Sequence, residues 1–430
     1  MFKRFVSAIF FILTLSTLYC ADQTADITIY DAIDMALGLS LSSRQNNLML
    51  KRLELEINTA WLRPIFDPTS LSLSVSGGYN QTNENSSIGI NIGVSHNIDM
   101  NSITDVYKTV LDWQNGQITY DKAKGVITGS VIKSYLKIIL LKQRIDFINE
   151  TIRQAKIVFD NISDQYRRGY VSEIQKLKSE LNYLTLIPDL ESLNSSYKNE
   201  INNFRFITGI DENCRINFLT QIPDFAIENI TMNNSMIDQN IDLAYSRMAE
   251  KIAQNILTDS IFNMIPSLRV QYSMNTSSGL NGGDNVEFSQ PANSFSLSLS
   301  IPLDAYLPFS TEHNSIISNR YKLEESRLST QIKIQRLLID IDALINKINS
   351  QRDKLTMLSI NREIANRTFL LVQNEYNLGN VSIDDLIETK NDLNEIEFSI
   401  MSAKSEILNT IVDLDLIINN DFEFFRRIIR

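Results

Sequence analysis

Few residues in this chain have the type and spacing for chemistry. Its two histidines, His96 and His313, are far apart, one at the end of an expected strand and one at the start of an expected helix. The two cysteines, Cys20 and Cys214, form no metal-ligand spacing and allow no disulfide in a chain that has lost Cys20. No glycine-rich phosphate loop follows a strand, and no nucleophile elbow occurs. Asp340 and Asp342 are two apart on an expected helix, hence on different faces, as surface charges are. A compact acidic group follows Ser382: Asp384, Asp385 and Glu388. Asp385 and Glu388 share a helix face, and the positive end of a helix dipole favours acids there. Catalysis, a cofactor and a resident metal are not expected. The formal net charge of −11 argues against nucleic acid, which requires an excess of Lys and Arg.

The elements that position these residues are written twice. Ile127 to Ser172 and Leu337 to Ser382 share one pattern at an offset of 210 residues. In the first copy, positions 127, 131, 135, 138, 141, 145, 148, 152, 155, 159, 162 and 166 are all apolar or aromatic. In the second copy only Gln351 and Arg362 break the series. The mean spacing, about 3.5 residues, is that of a coiled-coil seam. Each seam stops at a tyrosine, Tyr166 or Tyr376, and a glycine follows three residues later, where a helix C-cap sits. Ser172 and Ser382 stand as N-caps of a second helix. Each copy reads as a long helical hairpin turning at 166–172 or 376–382, and the shared register marks an internal duplication.

Before each hairpin the period changes from helical to alternating. After a helical segment from about Ile29 to Leu62, Ser70 to Tyr79 alternates serine with apolar residues, and Ile88 to Ser95 alternates again. The second half repeats this in Ser267 to Met274 and Phe295 to Leu303, around a Gly/Asn/Ser-rich loop from Asn275 to Asn293. Strands are expected at about 69–79, 88–98, 267–274 and 294–303. The repeats are then 22–220 and 221–430, preceded by a signal peptide over 1–21, where Lys3 and Arg4 lead an apolar run too short to span a bilayer. Cleavage after Ala21 would place Tyr19 at the −3 position, whereas cleavage before Cys20 would leave a lipidation site. No later stretch is long and apolar enough for a membrane helix, so a place in a membrane would rest on the strands. Four strands neither make a sandwich nor close a barrel, and open edges in lipid leave backbone groups unsatisfied. Other copies of the chain must complete the sheet.

With these elements in order, the chain resembles the TolC-type outer-membrane efflux proteins. Ile29-Tyr30-Asp31-Ala32-Ile33-Asp34-Met35-Ala36-Leu37 is similar to the family's opening helix, and Ser298 to Asp304 to its strand exit. The two Tyr-x-x-Gly-x-Val-Ser turns are similar to its tip turns. The family's Gly-Gly after the strand exit is replaced here by Ala305-Tyr306. The resemblance implies a mainly α protein with a membrane β-barrel portion: a homotrimer whose twelve strands form one barrel in outer-membrane lipid, above a long periplasmic α-helical barrel. It implies that Tyr166, Gly169, Val171, Ser172, Tyr376, Gly379, Val381 and Ser382 dock a periplasmic adaptor protein of an inner-membrane pump. It also implies an acidic ring at the periplasmic aperture from Asp384, Asp385 and Glu388. The first copy holds Gln175 and Lys178 where the second holds Asp385 and Glu388.

The function expected is a passive exit duct for solutes expelled by the pump, small-molecule efflux in preference to type I protein secretion. An exported coiled-coil scaffold is the alternative from another class; it predicts the seams without membrane strands.

Overall fold

The computed structural model describes residues 24–66, 69–80, 85–211, 214–218, 230–232, 235–280, 288–419 and 421–429. The signal segment and Cys20 lie outside the described residues. In chain order the elements are β1 (Thr24–Ile27), α1 (Ile29–Leu39), α2 (Leu41–Ala60), α3 (Arg63–Phe66), β2 (Thr69–Asn80), β3 (Asn85–Ile98) and α4 (Asn101–Arg167). Then follow α5 (Glu173–Thr208), β4 (Arg215–Phe218), α6 (Ser235–Asp238), α7 (Ile241–Phe262), β5 (Ser267–Leu280) and β6 (Ala292–Ser300). A 3-10 turn at Leu303–Tyr306 leads to α8 (Thr311–Asn377), α9 (Ile383–Ile418) and α10 (Glu423–Ile429). The helix, hairpin, long helix, turn and return helix expected for each half are all present.

Three boundaries differ from the sequence reading. The first helical segment is broken at Ser40, whose backbone is extended and whose N–H bonds the Ala36 carbonyl. β5 continues six residues into the expected loop, because Asn275 to Leu280 keep pairing with β3. β6 ends at Ser300, before Pro302, which has no N–H to donate to a ladder.

The helices α4 and α8 are 67 residues each, about 100 Å at 1.5 Å per residue. Every position of the first seam is buried or half-buried except Tyr166, at the very end. In the second seam Gln351 stays half-buried while Arg362 is exposed.

The described residues divide into two compact units, each assembled from pieces of both repeats. One comprises residues up to 46, 121–241 and 337–430. Its core gathers Val131, Tyr135 and Ile138 of α4, Phe204 of α5, Ile341, Ile345 and Ile348 of α8, and Ile407, Leu408 and Ile411 of α9. A parallel two-stranded sheet of β1 and β4, unforeseen in the sequence, joins it. Tyr135 packs edge-on against Phe218 of β4 at 5.3 Å and donates its hydroxyl to the Ile27 carbonyl of β1 at 2.9 Å. A buried aromatic with its polar tip satisfied adds area without a desolvation penalty.

The other unit comprises 47–120 and 242–336 and holds the four-stranded antiparallel sheet, in the order β2-β3-β5-β6. The two hairpins are thus joined through β3 and β5. Below them, Thr104 donates to Asp259 at 2.6 Å, and Asn255 donates to the Thr104 carbonyl at 3.1 Å, linking α4 to α7.

Candidate functional site

Two regions carry the surface features from which a function can be argued: the hairpin tips of the first unit and the sheet of the second.

At the tips, the residues between seam and return helix form the same motif twice. Gly169 N–H bonds the Tyr166 carbonyl and Tyr170 N–H bonds the Gln165 carbonyl, both at 2.9 Å. Gly379 to Tyr376 and Asn380 to Glu375 repeat these bonds at 2.9 Å. This is a Schellman closure, which requires a left-handed residue, and both glycines have φ 78°. Tyrosine therefore contributes its carbonyl, and glycine its conformation. Ser172 and Ser382 then open the return helices as capping boxes with Gln175 and Asp385. Val171 and Val381 are half-buried between the two motifs.

The capping role redefines the acidic group. Asp385 accepts from the Ser382 hydroxyl at 2.6 Å and from the Ser382 N–H at 2.9 Å. Those bonds hold its carboxyl below the usual range, so it is an anchored anion. Asp384 accepts an ion pair from Lys178 of the first hairpin at 2.7 Å. Glu388 is exposed, one turn beyond Asp385. The structure thus pairs one acid of the second tip, Asp384, with a lysine of the first. In the sequence Lys178 is only a departure from the acidic pattern, and its pairing with Asp384, across 206 residues, has no sequence signal.

In the sheet, the register decides which residues share a face, because residues directly opposite each other point the same way. Leu71, Val94, Tyr272 and Phe295 form one row, and Leu73, Ile92 and Met274 the next. Val270 with Leu297, and Ile98 with Leu268 and Leu299, extend that face. The opposite face carries Ser70, Ser95, Gln271 and Ser296, then Ser72, Gly93, Ser273 and Ser294. The apolar face is open, as Leu71 is 77% exposed, Leu73 69% and Leu297 62%, and the serines of β2 and β6 on the opposite face are exposed too. A water-soluble sheet buries such an apolar face against a core. Along β3 this face runs from Ile98 to Ile90, broken by His96 in the row it shares with Thr69 and Val270, about 27 Å at the rise of a strand, close to the height of a barrel's lipid-facing band. Tyr272 sits in the middle of this face beside Phe295. The scaffold alternative has no use for such a face. β2 and β6 are the sheet's outer strands.

His96 Nδ1 lies 2.7 Å from the Thr69 hydroxyl across the β2-β3 pair, and the backbone N–H of His313 donates to the Ser310 hydroxyl at the start of α8. Asp340 and Asp342 are exposed on α8. Among the described residues, no group of three His, Cys, Asp or Glu is placed to hold a metal, and no helix is long and apolar enough to cross a membrane.

Residues 236–420 match the family model described as outer membrane efflux protein. None of the curated proteins matches the sequence. Among solved structures, the chain is similar to the Campylobacter jejuni CmeC outer membrane channel, with TM-score 0.75 and 12% identity over 93% of this chain and 90% of that one. The open state of the Neisseria gonorrhoeae MtrE outer membrane channel superposes with TM-score 0.76 and 15% identity, covering 91% and 88%. A membrane protein from Pseudomonas aeruginosa gives TM-score 0.78 and 14% identity, covering 94% of each. With the duplicated tip hairpins, the exposed apolar sheet face, a match to the outer membrane efflux protein model over residues 236–420 and the fold of outer-membrane channels along more than nine-tenths of its length, the chain resembles the TolC-type outer-membrane efflux proteins.

Proposed function

We propose that this protein is the outer-membrane exit duct of a tripartite export system, passing solutes driven by an inner-membrane pump through a periplasmic adaptor. The observation that carries the reading is the sheet, whose apolar face is open and whose opposite face is lined by Ser, Asn and Gln. Lipid suits the first face and a water-filled lumen the second. Three chains supply twelve strands, with β2 of one copy against β6 of the next, so that the outer strands gain partners. The tip turns at Gly169 and Gly379 face the adaptor. Asp385 and Glu388, repeated about the axis, form a cation-attracting aperture. Lys178 and Asp384 tie the two hairpins of one chain while that aperture is closed. Small solutes are the cargo.

The test is single-channel conductance of the purified protein in a planar bilayer, wild type beside Asp385→Ala/Glu388→Ala. Cation-selective pores, with selectivity reduced about threefold or more in the variant, support duct and aperture together. Selective pores indifferent to the variant remove the acidic ring and keep the duct. A folded oligomer that never conducts refutes the duct.

A further inference from the structure

Beyond the tip turns, the two hairpins line an open-mouthed cavity of about 300 Å³ whose chemistry differs from the aperture's. Its apolar wall is Ile157 and Val158 of α4 with Leu386 and Ile387 of α9. None of its lining residues is acidic, although the chain has 51 Asp and Glu against 40 Lys and Arg. Its one cation is Lys390, whose Nζ stands 4.8 Å from the centroid of the Phe369 ring. Among the described residues Lys390 makes no ion pair within 4.0 Å. Glu150 feels Lys390 less than any of its other neighbours, after the hydrogen bonds from Arg153 and Gln154 and the charge of Arg153. A further lining atom, Asn394 Oδ1, is buried with no donor. A lone cation over an aromatic ring calls for an anion, and an orphan carbonyl oxygen calls for an N–H or O–H. The volume is at the lower end of small-molecule sites, which are mostly apolar with a few convergent polar groups.

We propose that this cavity binds a small amphipathic anion, an aromatic or short-chain carboxylate bearing one hydrogen-bond donor. Lys390 takes the carboxylate, Asn394 Oδ1 accepts from the donor, and the body lies against Ile157, Val158, Leu386 and Ile387. The wall comes from both hairpins. If the duct opens by splaying them, which rests on the function proposed above, the occupied cavity belongs to the closed arrangement and the ligand lengthens closed times. A ligand shifts such an equilibrium only by its differential affinity for the two states.

Indole-3-acetate is a suitable probe, since it combines an apolar ring, one N–H and a carboxylate; tryptamine presents the same ring with a cation. Calorimetry on the full-length oligomer held in amphipol should show saturable binding of indole-3-acetate, one per chain, and none of tryptamine. Lys390→Gln should weaken binding tenfold or more, Lys390→Arg should retain it, and Ile387→Trp should abolish it by filling the cavity. Absence of saturable binding, equal binding of the two probes, or a Lys390→Gln variant that binds as wild type overturns the proposal. Conductance of the same preparations separates the two readings. Pores that form without binding remove the site and leave the duct, and binding without pores removes the duct and leaves the site. Binding that leaves closed times unchanged refutes the regulatory consequence.

Discussion

Asp415 on α9 is 1% exposed, and its carboxylate accepts from the N–H groups of Phe425 at 2.9 Å and Phe424 at 3.3 Å, capping α10. Burial pushes its carboxyl from 3.8 up to about 7, opposed by those two hydrogen bonds and by Arg426 and assisted by Glu423. The folded state therefore keeps its proton where the unfolded chain has released it. The resulting stability is complete below about pH 4 and falls as pH rises through about 7, by up to about 4 kcal/mol. Asp415→Asn should flatten that dependence and be the more stable protein at pH 8. Hydrogen exchange at the Phe424 and Phe425 amides at pH 5 and pH 8 measures it; equal slopes in both proteins would sink the assignment. Lys178 and Asp384 behave differently, since their side chains are 55% and 44% exposed and their attraction is screened by solvent. Such a pair is worth at most about 1 kcal/mol. Lys178→Ala should raise open probability by a factor of about five or less and leave thermal unfolding almost unmoved.

At the scale of elements, the tip turns are the most exacting pieces of backbone. A methyl group added at Gly169 or Gly379 would meet nothing within 4 Å, so the cost of alanine is conformational alone. About 1 to 2 kcal/mol is expected for each, and Ser172→Ala or Ser382→Ala should cost about 1 kcal/mol through the lost cap. Chemical denaturation of the four variants checks this; a neutral Gly379→Ala would mean that the Schellman closure is not held in solution. These elements were legible because each rests on a period or a local motif: 3.5 for the seams, two for the strands, Gly and Ser at fixed offsets for the turns. Elements set by distant partners were not legible. β1 and β4 are four residues each, too short to show a period, and meet across the 191 residues that separate Asp26 from Asn217. The break at Ser40 hid within a continuous helical pattern. At the tips, spacing located Asp384 and Asp385, and Ser382 three residues before Asp385 is the spacing of a capping box, but nothing in it shows that Asp384 pairs with a lysine of the other hairpin.

For the whole molecule, the two faces of the sheet make opposite predictions for neighbouring positions. Leu73→Arg places a charge on the open apolar face and should cost about 2 to 4 kcal/mol in lipid. Ser72→Arg, one residue away on the polar face, should be tolerated and should lower cation conductance. Heat-modifiable gel mobility of protein folded into vesicles separates them, and equal tolerance of both substitutions would reverse the assignment of lipid and lumen. The order of the strands has a consequence for biosynthesis. The two hairpins are knit together across a long stretch of chain: Asn97 of β3 accepts from Arg269 of β5, 172 residues later. At about 5 to 20 residues per second of synthesis, the first hairpin waits roughly ten to thirty seconds for its neighbour, its leucines and valines open throughout. A chain that stops after the first repeat should therefore keep this hairpin unpaired at β3 and aggregate where the full chain folds.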